Sequence, residues 1–319
     1  MSVKLLANDG LSQAGVDLLK RAGITIITDK VEQANLIDYI NKEQISGVLV
    51  RSATTVRRDI IDACPSIKLI GRGGVGMDNI DVAYAREKGI KVVNTPASSS
   101  QSVAELVIAH MFSLARMTHD SYRNMPEKGA LAFNDLKKKY GKGTELRGKT
   151  IGILGFGRIG QSVAKYALGL GMDVLAYDTT TEERAVSIEI AGQKVEVKIT
   201  PTALQNVLSK SDYITIHIPA QPDGAAAIGA SDISQMKKGA YLINAARGGV
   251  LDEGALLSAL DAGQLAGAAL DVFVGEPTPR KDVLLHPKVI STPHIGAATV
   301  EAQDRIGEEM ANLVIEYFF

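Results

Sequence analysis

A single cysteine, Cys64, in a chain of 319 residues excludes an intrachain disulfide framework and any cysteine-cluster metal site, and such usage suits a reducing compartment. Cys64 reads most simply as a small packing residue. No run approaches the roughly 20 consecutive apolar residues that a membrane span requires, and no membrane association is expected. The amino end has no cationic lead, apolar segment and cleavage site; residues 3–7 read directly as a strand, so the expected location is cytoplasmic. Charge of one sign is also lacking. With 35 basic and 36 acidic residues the formal net charge is −1, which leaves no global positive field to draw the chain to nucleic acid. His110, His119, His217 and His286 have no metal-like spacing, and no metal is expected. Internal repeats and low-complexity segments are absent. What remains is the composition of a soluble globular protein, 45% hydrophobic and 22% charged, long enough for two domains.

The most informative stretch is K-T-I-G-I-L-G-F-G-R-I-G at residues 149–160. Residues 150–154 read as a short buried strand, followed by Gly155, Gly157 and Gly160 with G-x-G-x-x-G spacing. The first glycine of that pattern makes a tight turn, the second lets a pyrophosphate approach the backbone, and the third lets helix and strand pack closely. Unpaired N–H groups at the helix start then face the pyrophosphate. Gly71, Gly73 and Gly76 fit the same spacing, so the surroundings must decide. After the second match a helix is expected over about residues 159–168, then a strand over 172–177 that ends at Asp178, 18 residues past the last glycine. A carboxylate there meets the adenosine ribose, and its charge opposes a 2′-phosphate, which points to NAD. After the first match, residues 77–80 delay any helix and the next strand, 91–93, ends at Asn94. The dinucleotide is therefore expected on Gly155 to Gly160.

Elsewhere, apolar runs at residues 3–7, 24–27, 48–50, 69–70 and 90–93 alternate with helical spacing, which implies an α/β fold with a parallel sheet. Arg51 and Arg72 leave the ends of two of these strands, where ligands collect in open sheets. A long helix is expected from Ser102, with Glu105 as a capping-box partner, to about Arg123. It is apolar on more than one face, as for a helix buried in a partner subunit or a domain junction. Lys137, Lys138, Lys139 and Lys142 then read as a basic loop, most simply a solvated one. Residues 186–190 and 195–199 alternate around Gly192 as a surface hairpin. Strands over 213–218, 240–245, 268–272 and 289–291 bring the second sheet to six, and residues 300–317 read as a helix.

Three strand ends carry groups that suit redox chemistry: Arg247, Glu276 and His294. A guanidinium grips a carboxylate with two hydrogen bonds. Imidazole can remove a hydroxyl proton as hydride leaves the same carbon, and a carboxylate behind it fixes its tautomer. Singly, each has a plainer reading: a surface arginine, a turn residue before Pro277, a turn residue after Pro293. Together, on strands that follow a dinucleotide site, they favour catalysis.

The chain resembles the D-isomer-specific 2-hydroxyacid dehydrogenases over nearly its whole length. The resemblance is carried by V-R-S-A-T (50–54), G-R-G-G-V-G-M-D-N-I-D (71–81), N-T-P (94–96), G-T-E-L-R-G-K-T-I-G-I-L-G-F-G-R-I-G (143–160), N-A-A-R-G-G-V-L-D-E (244–253), A-L-D-V-F (269–273), G-E-P (275–277) and T-P-H-I-G-A-A-T (292–299). It implies two Rossmann-like domains: a doubly wound parallel-sheet nucleotide domain, residues 99–295, and a smaller flavodoxin-like substrate domain, residues 1–98 plus 296–319. A homodimer or homotetramer through the nucleotide domain is expected. By resemblance Arg247 binds the substrate carboxylate, His294 is the acid/base and Glu276 its partner. Cofactor contacts are implied at Gly155, Gly157, Arg158, Ile159, Gly160, Asp178, Ile218, Pro219, Ala245, Ala246, Asp271, Gly296 and Ala297, with Asp271 on the nicotinamide carboxamide. Substrate contacts are implied at Gly74, Val75, Gly76 and Asn94, and phosphate contacts at Arg51 and Arg72, with the lysines 137–139 supplying a basic group from a second subunit.

The motifs are most similar to the phosphoglycerate-oxidising branch, which implies NAD-dependent oxidation of a small phosphorylated 2-hydroxy acid, D-3-phosphoglycerate, in serine synthesis. The alternatives are a reductase of glyoxylate, hydroxypyruvate or another unphosphorylated 2-keto acid, or an NAD-sensing corepressor-like binding protein. Formate dehydrogenase needs no acid/base pair and is disfavoured. Two departures stand out: residues 124–142 lack the tryptophan often found there, and the chain stops at Phe319 without a regulatory domain, so inhibition by serine through such a domain is not expected.

Overall fold

The computed structural model describes residues 3–221 and 223–319. Met1 and Ser2, at the head of the stretch read as leaderless, lie outside the described residues. Two compact units emerge: Met1–Ser100 together with Ala297–Phe319, and Gln101–Gly296.

In the first unit, strands β1 (Lys4–Ala7), β2 (Thr25–Ile27), β3 (Gly47–Val50), β4 (Leu69–Arg72) and β5 (Lys91–Asn94) alternate with helices α1 (Gln13–Arg21), α2 (Leu36–Glu43), α3 (Arg58–Ala63) and α4 (Val82–Glu87). The strands pair in parallel in the order β2-β1-β3-β4-β5, the flavodoxin-like order. Both faces of the sheet are covered, so its strands are continuous apolar runs. Successive residues serve opposite cores: Leu6, Val48 and Ile70 join one cluster, and Leu5, Leu49 and Leu69 the other.

The second unit opens, from Gln101, within α5 (Ser100–Arg116) and continues into α6 (Thr118–Tyr140). This corrects the single helix expected from Ser102 to about Arg123. Ser102 lies inside the first turn of α5 and cannot cap it, and the helix stops because Met117 adopts a left-handed conformation, φ 52°. Apolar periodicity carries no sign of such a turn. The expected basic loop is also helical: Lys137, Lys138 and Lys139 form the last turn of α6, where positive charge complements the helix dipole. A second break falls within α6 at Ala132.

Next come β6 (Thr150–Leu154), α7 (Arg158–Gly169), β7 (Asp173–Tyr177), the antiparallel hairpin β8 (Arg184–Ile190) and β9 (Gln193–Ile199), α8 (Leu204–Lys210), β10 (Tyr213–Ile216), α9 (Ala230–Gln235), β11 (Ala240–Asn244), α10 (Glu253–Asp261), β12 (Leu265–Leu270), α11 (Lys281–Leu285) and β13 (Val289–Ser291). Six strands form a parallel sheet in the order β13-β12-β11-β10-β6-β7. From β6 the chain goes to β7 on one side and later to β10 on the other, so the strand order reverses between β6 and β10. In open α/β sheets that switch point, at the carboxyl ends of the strands, is where ligands bind.

The chain closes with α12 (Val300–Phe318) in the first unit, capped by Thr299, whose Oγ1 accepts from Ala302 N at 3.1 Å. It crosses α1 at a glycine pair, where a Cβ on Gly15 would lie 2.6 Å from the carbonyl oxygen of Gly307. That close approach lets Met310, Ala311 and Val314 join the sheet-facing cluster.

Candidate active site

The candidate site of the second unit lies along one sheet edge. Leu154, Tyr177, Ile216, Asn244, Leu270 and Ser291 are register partners across the six strands, so the residues that follow them emerge at one level. Those residues include Gly155, Asp178, Ile218, Ala245 to Arg247, Asp271 and His294.

At the switch point Gly155 needs its glycine twice over: its φ is 94°, and a Cβ would sit 2.5 Å from the carbonyl oxygen of His217 and 3.0 Å from Ile218. Gly160 lets α7 start against the turn, since a Cβ there would be 2.2 Å from the carbonyl oxygen of Gly155. At Gly157 a Cβ would meet nothing within 4 Å, so space stands open beside the second glycine. Gly157 precedes Arg158 and Ile159 at the start of α7, and no side chain caps that end. Asp178 Oδ2 accepts from Phe156 N at 2.7 Å, which ties the carboxylate to the glycine turn. Burial raises its pKa, but hydrogen bonds from the Phe156 and Thr180 amides, the Thr179 hydroxyl and the charge of Arg184 outweigh that and leave it lowered. A fixed anion beside an uncapped helix start and an open glycine turn suits an adenosine ribose next to a pyrophosphate. Pro219 is exposed just beyond Ile218, while Ala245 is buried and Ala246 half-buried. Burial pushes His217 down to about 3, so it is neutral, and its Nε2 lies 2.9 Å from Thr215 Oγ1.

Gly160→Ala should destabilise the fold by about 1–3 kcal/mol through overpacking against backbone. Thermal melting checks this; an unchanged melting temperature would mean that the turn can move aside at no cost.

The chemical end of the edge is built around β11, β12 and β13. Asn244 pins the turn after β11, accepting from Ala246 N at 3.0 Å and donating to the carbonyl of Arg247 at 3.0 Å. Arg247 donates from Nη1 to the Ala246 carbonyl at 2.7 Å. His294 Nδ1 lies 2.8 Å from Glu276 Oε2, and Glu276 Oε1 accepts from Phe273 N at 2.8 Å. With Nδ1–H given to the carboxylate, Nε2 is the nitrogen that can take up or release a proton. His294 has φ 55°, uncommon for a residue with a side chain, and the turn is over-determined by its partners. Asp271, only 1% exposed, accepts from Ile295 N at 2.9 Å, Gly296 N at 2.8 Å and Thr292 Oγ1 at 2.6 Å. His110 Nε2, on α5, is 3.2 Å from the same Thr292 oxygen; that hydroxyl is already donated to Asp271, so His110 donates to it. Burial lowers the pKa of His110, opposed by Asp271, and keeps it neutral. The resemblance implied Asp271 on the nicotinamide carboxamide and gave no sign that its two oxygens hold the turn of His294. It assigned no part to His110 or Thr292, although T-P-H-I-G was in view.

In the first unit, Val50, Arg72 and Asn94 are register partners, so Arg51, Arg72 and the loop after it share the carboxyl edge of that sheet. Asp9 and Asn79 pin the backbone of Arg51, through Arg51 N to Asp9 Oδ2 at 2.7 Å and Asn79 Nδ2 to the Arg51 carbonyl at 2.8 Å. Asn94 Nδ2 donates to the carbonyl of Val75 at 2.7 Å and steadies the Gly74 to Gly76 loop. The Arg72 guanidinium folds over that loop: Nη1 donates to the Gly73 carbonyl at 3.2 Å, and a Cβ on Gly74 would fall 1.6 Å from it. Gly71 is a strand residue and α4 begins only at Val82, so the first G-x-G-x-x-G match lacks the helix start that a pyrophosphate needs. Ala297 also belongs to this unit, its carbonyl accepting from Gln303 Nε2 at 2.8 Å.

Residues 108–296 match the model of the D-isomer specific 2-hydroxyacid dehydrogenase, NAD binding domain. The chain belongs to that family. Its second unit is thus the family's NAD-binding domain. The chain is 39% identical over 315 residues to D-3-phosphoglycerate dehydrogenase of Rattus norvegicus, covering 97% of this chain and 55% of the relative. It is 38% identical over 313 residues to the hydroxypyruvate reductase of Thermotoga maritima, covering 97% of this chain and 96% of the relative. The chain therefore spans about half the length of the phosphoglycerate dehydrogenase it matches, and nearly all of the reductase. Among solved structures, NAD-dependent formate dehydrogenase from Staphylococcus aureus in complex with NAD superposes with a TM-score of 0.79 at 27% identity, covering 100% of this chain and 96% of that one. No helix among the described residues is long and apolar enough to cross a membrane.

Proposed function

We propose that the protein oxidises D-3-phosphoglycerate to 3-phosphohydroxypyruvate with NAD, or runs the reverse reduction. The observation that carries the chemistry is the contact of His294 Nδ1 with Glu276 Oε2, 2.8 Å, on the sheet edge that also holds the glycine turn and Asp178. Gly155, Gly157, Gly160, Arg158 and Ile159 would hold the pyrophosphate and Asp178 the ribose; bound there, NAD supplies the hydride acceptor. Arg247 grips the substrate carboxylate and orients C2. His294 accepts the C2 hydroxyl proton at Nε2 as the carbonyl forms and C2 gives up its hydride. Glu276 stabilises the resulting imidazolium and keeps the ring turned. In the reverse direction the imidazolium returns the proton to the same oxygen.

Phosphate recognition falls to Arg51 and Arg72, two guanidinium groups that emerge from adjacent strands of the first unit. Such contacts contribute about 1.5–3 kcal/mol each. Arg51→Ala is therefore expected to raise KM for 3-phosphohydroxypyruvate by roughly ten- to a hundredfold while barely changing KM for hydroxypyruvate. Equal effects on both would favour the second reading, an unphosphorylated 2-keto acid as substrate, which the full-length match to a hydroxypyruvate reductase supports.

Asp178 supports NAD over NADP. Its lowered pKa keeps it ionised through the neutral range, and a 2′-phosphate beside it meets like charge at a cost of several kcal/mol. NADH should exceed NADPH in kcat/KM by on the order of a hundredfold. A preference for NADPH in steady-state rates would overturn this assignment. Assembly as a homodimer or tetramer through the second unit is supported by apolar side chains displayed on α6, among them Leu131 at 91% and Tyr122 at 81% exposure.

A further inference from the structure

Glu253 begins α10, directly after Asp252, whose Oδ1 caps the helix by accepting from Ala255 N at 3.0 Å. A carboxylate in a first helical turn usually serves the dipole from an exposed position. Glu253 is instead 6% exposed, and its Oε1 accepts from Val274 N at 2.8 Å, 21 residues away in sequence. Its Oε2 is buried and has no hydrogen-bond partner among the described residues. Burying a carboxylate with one oxygen unsatisfied is costly, and a helix start alone does not require it.

What the carboxylate grips is the turn that carries Glu276. Phe273 N donates to Glu276 Oε1 and the next amide, Val274 N, to Glu253 Oε1, so two carboxylates hold successive amides of one turn. The Phe273 carbonyl is wedged against Gly248, and Thr278 N closes the far side onto the Gly275 carbonyl at 2.8 Å. Arg280, paired with Asp282, also feels the charges of Glu253 and Asp252.

We propose that Glu253 is a positioning residue for the acid/base pair: its grip on the Val274 amide fixes the turn from which Glu276 reaches His294. The proposal rests on the acid/base role given above to those two residues. Without the grip, the Phe273 to Glu276 turn drifts, the imidazole loses its orienting carboxylate, and turnover falls while the dinucleotide still binds.

The test compares Glu253→Met, which keeps the length and removes the acceptor, with Glu253→Gln, which keeps an acceptor and removes the charge. Parent and variants are assayed for NADH oxidation with hydroxypyruvate and with 3-phosphohydroxypyruvate, and NADH binding is titrated by its fluorescence. Glu253→Met should lower kcat by about ten- to a hundredfold, with the Kd for NADH changed by less than about threefold. Glu253→Gln should stay within about threefold of the parent. Parental turnover in the Met variant overturns the proposal, as does a Gln variant that falls as far as Met, or NADH affinity lost in step with kcat. His294→Ala, run alongside, separates the two layers: if it turns over like the parent, the acid/base reading itself fails, whereas a crippled His294→Ala beside an unaffected Glu253→Met removes only the positioning role.

Discussion

Replacing His294 by alanine is expected to lower kcat by about 10²- to 10⁴-fold, the range for losing a general acid or base. In the proposed mechanism the imidazole exchanges a proton with the hydroxyl oxygen on the reacting carbon. Its Nδ1 is engaged by Glu276 at 2.8 Å, which leaves Nε2 for the substrate hydroxyl. The turn is held in an unfavourable backbone conformation, φ 55°, by three hydrogen bonds into buried Asp271. Strain maintained in this way is more readily explained by chemistry than by folding. Steady-state kinetics check the size of the loss, and a fluorescence titration should show NADH binding unchanged, because His294 is not among the groups that hold the pyrophosphate or ribose. Glu276→Gln should lose less, because its one amide oxygen can still accept from Nδ1, but it also gives up the charge opposite the imidazolium and the second acceptor, which holds Phe273 N. A His294→Ala enzyme with parental turnover would remove the residue from the mechanism.

Gly248→Ala is expected to be nearly as damaging, for a different reason. A Cβ at Gly248 would lie 1.9 Å from the carbonyl oxygen of Phe273, 2.4 Å from its carbonyl carbon and 3.1 Å from Val274 N. All three are backbone atoms and cannot swing aside as the tip of a side chain can. The Arg247 turn and the Glu276 turn would have to separate by about 1 Å or more, a displacement that costs on the order of a hundredfold in rate when it misplaces reacting groups. Overpacking should also destabilise the fold by about 1–3 kcal/mol, visible in thermal melting. Gly169→Ala, at the end of α7 where a Cβ would meet nothing within 4 Å, is the matched control and should leave both rate and stability near parental. Equal behaviour of the two variants would show that the close approach of the two turns is not needed for catalysis.

Much of the fold is legible in the sequence because parallel strands buried on both faces read as near-continuous apolar runs, as at Gly47–Val50 and, with only Thr215 polar, Tyr213–Ile216. The hairpin is legible for the opposite reason: Arg184–Ile190 and Gln193–Ile199 alternate about a glycine, and they do pair in antiparallel register. The break between α5 and α6 is not legible. It depends on one methionine in a left-handed conformation, and nothing in residue type marks Met117 for it. For the same reason Lys137 to Lys139 read as loop, because a run of charges lacks the apolar face that announces a helix.

At the site, polar residues that terminate apolar runs are visible in sequence, and Arg247, Glu276 and His294 stand out in that way. Their support is not visible. The bonds from Asp271 to the turn of His294, from His110 to Thr292 and from Glu253 to Val274 join residues brought together only by the register of β11, β12 and β13 and by where α5 and α10 cross them. The same distinction separates the two glycine patterns. Spacing is identical in both, and only the position of the next helix, immediate at Arg158 but delayed to Val82, tells them apart.

The most direct measurement is kcat/KM for NADH oxidation with 3-phosphohydroxypyruvate, set against hydroxypyruvate and glyoxylate in one panel. The phosphorylated keto acid should be the best substrate, by roughly the ten- to a hundredfold that guanidinium contacts to a phosphate contribute. A better rate with hydroxypyruvate or glyoxylate would contradict the phosphate assignment, and binding of NADH without turnover of any member of the panel would contradict the account as a whole.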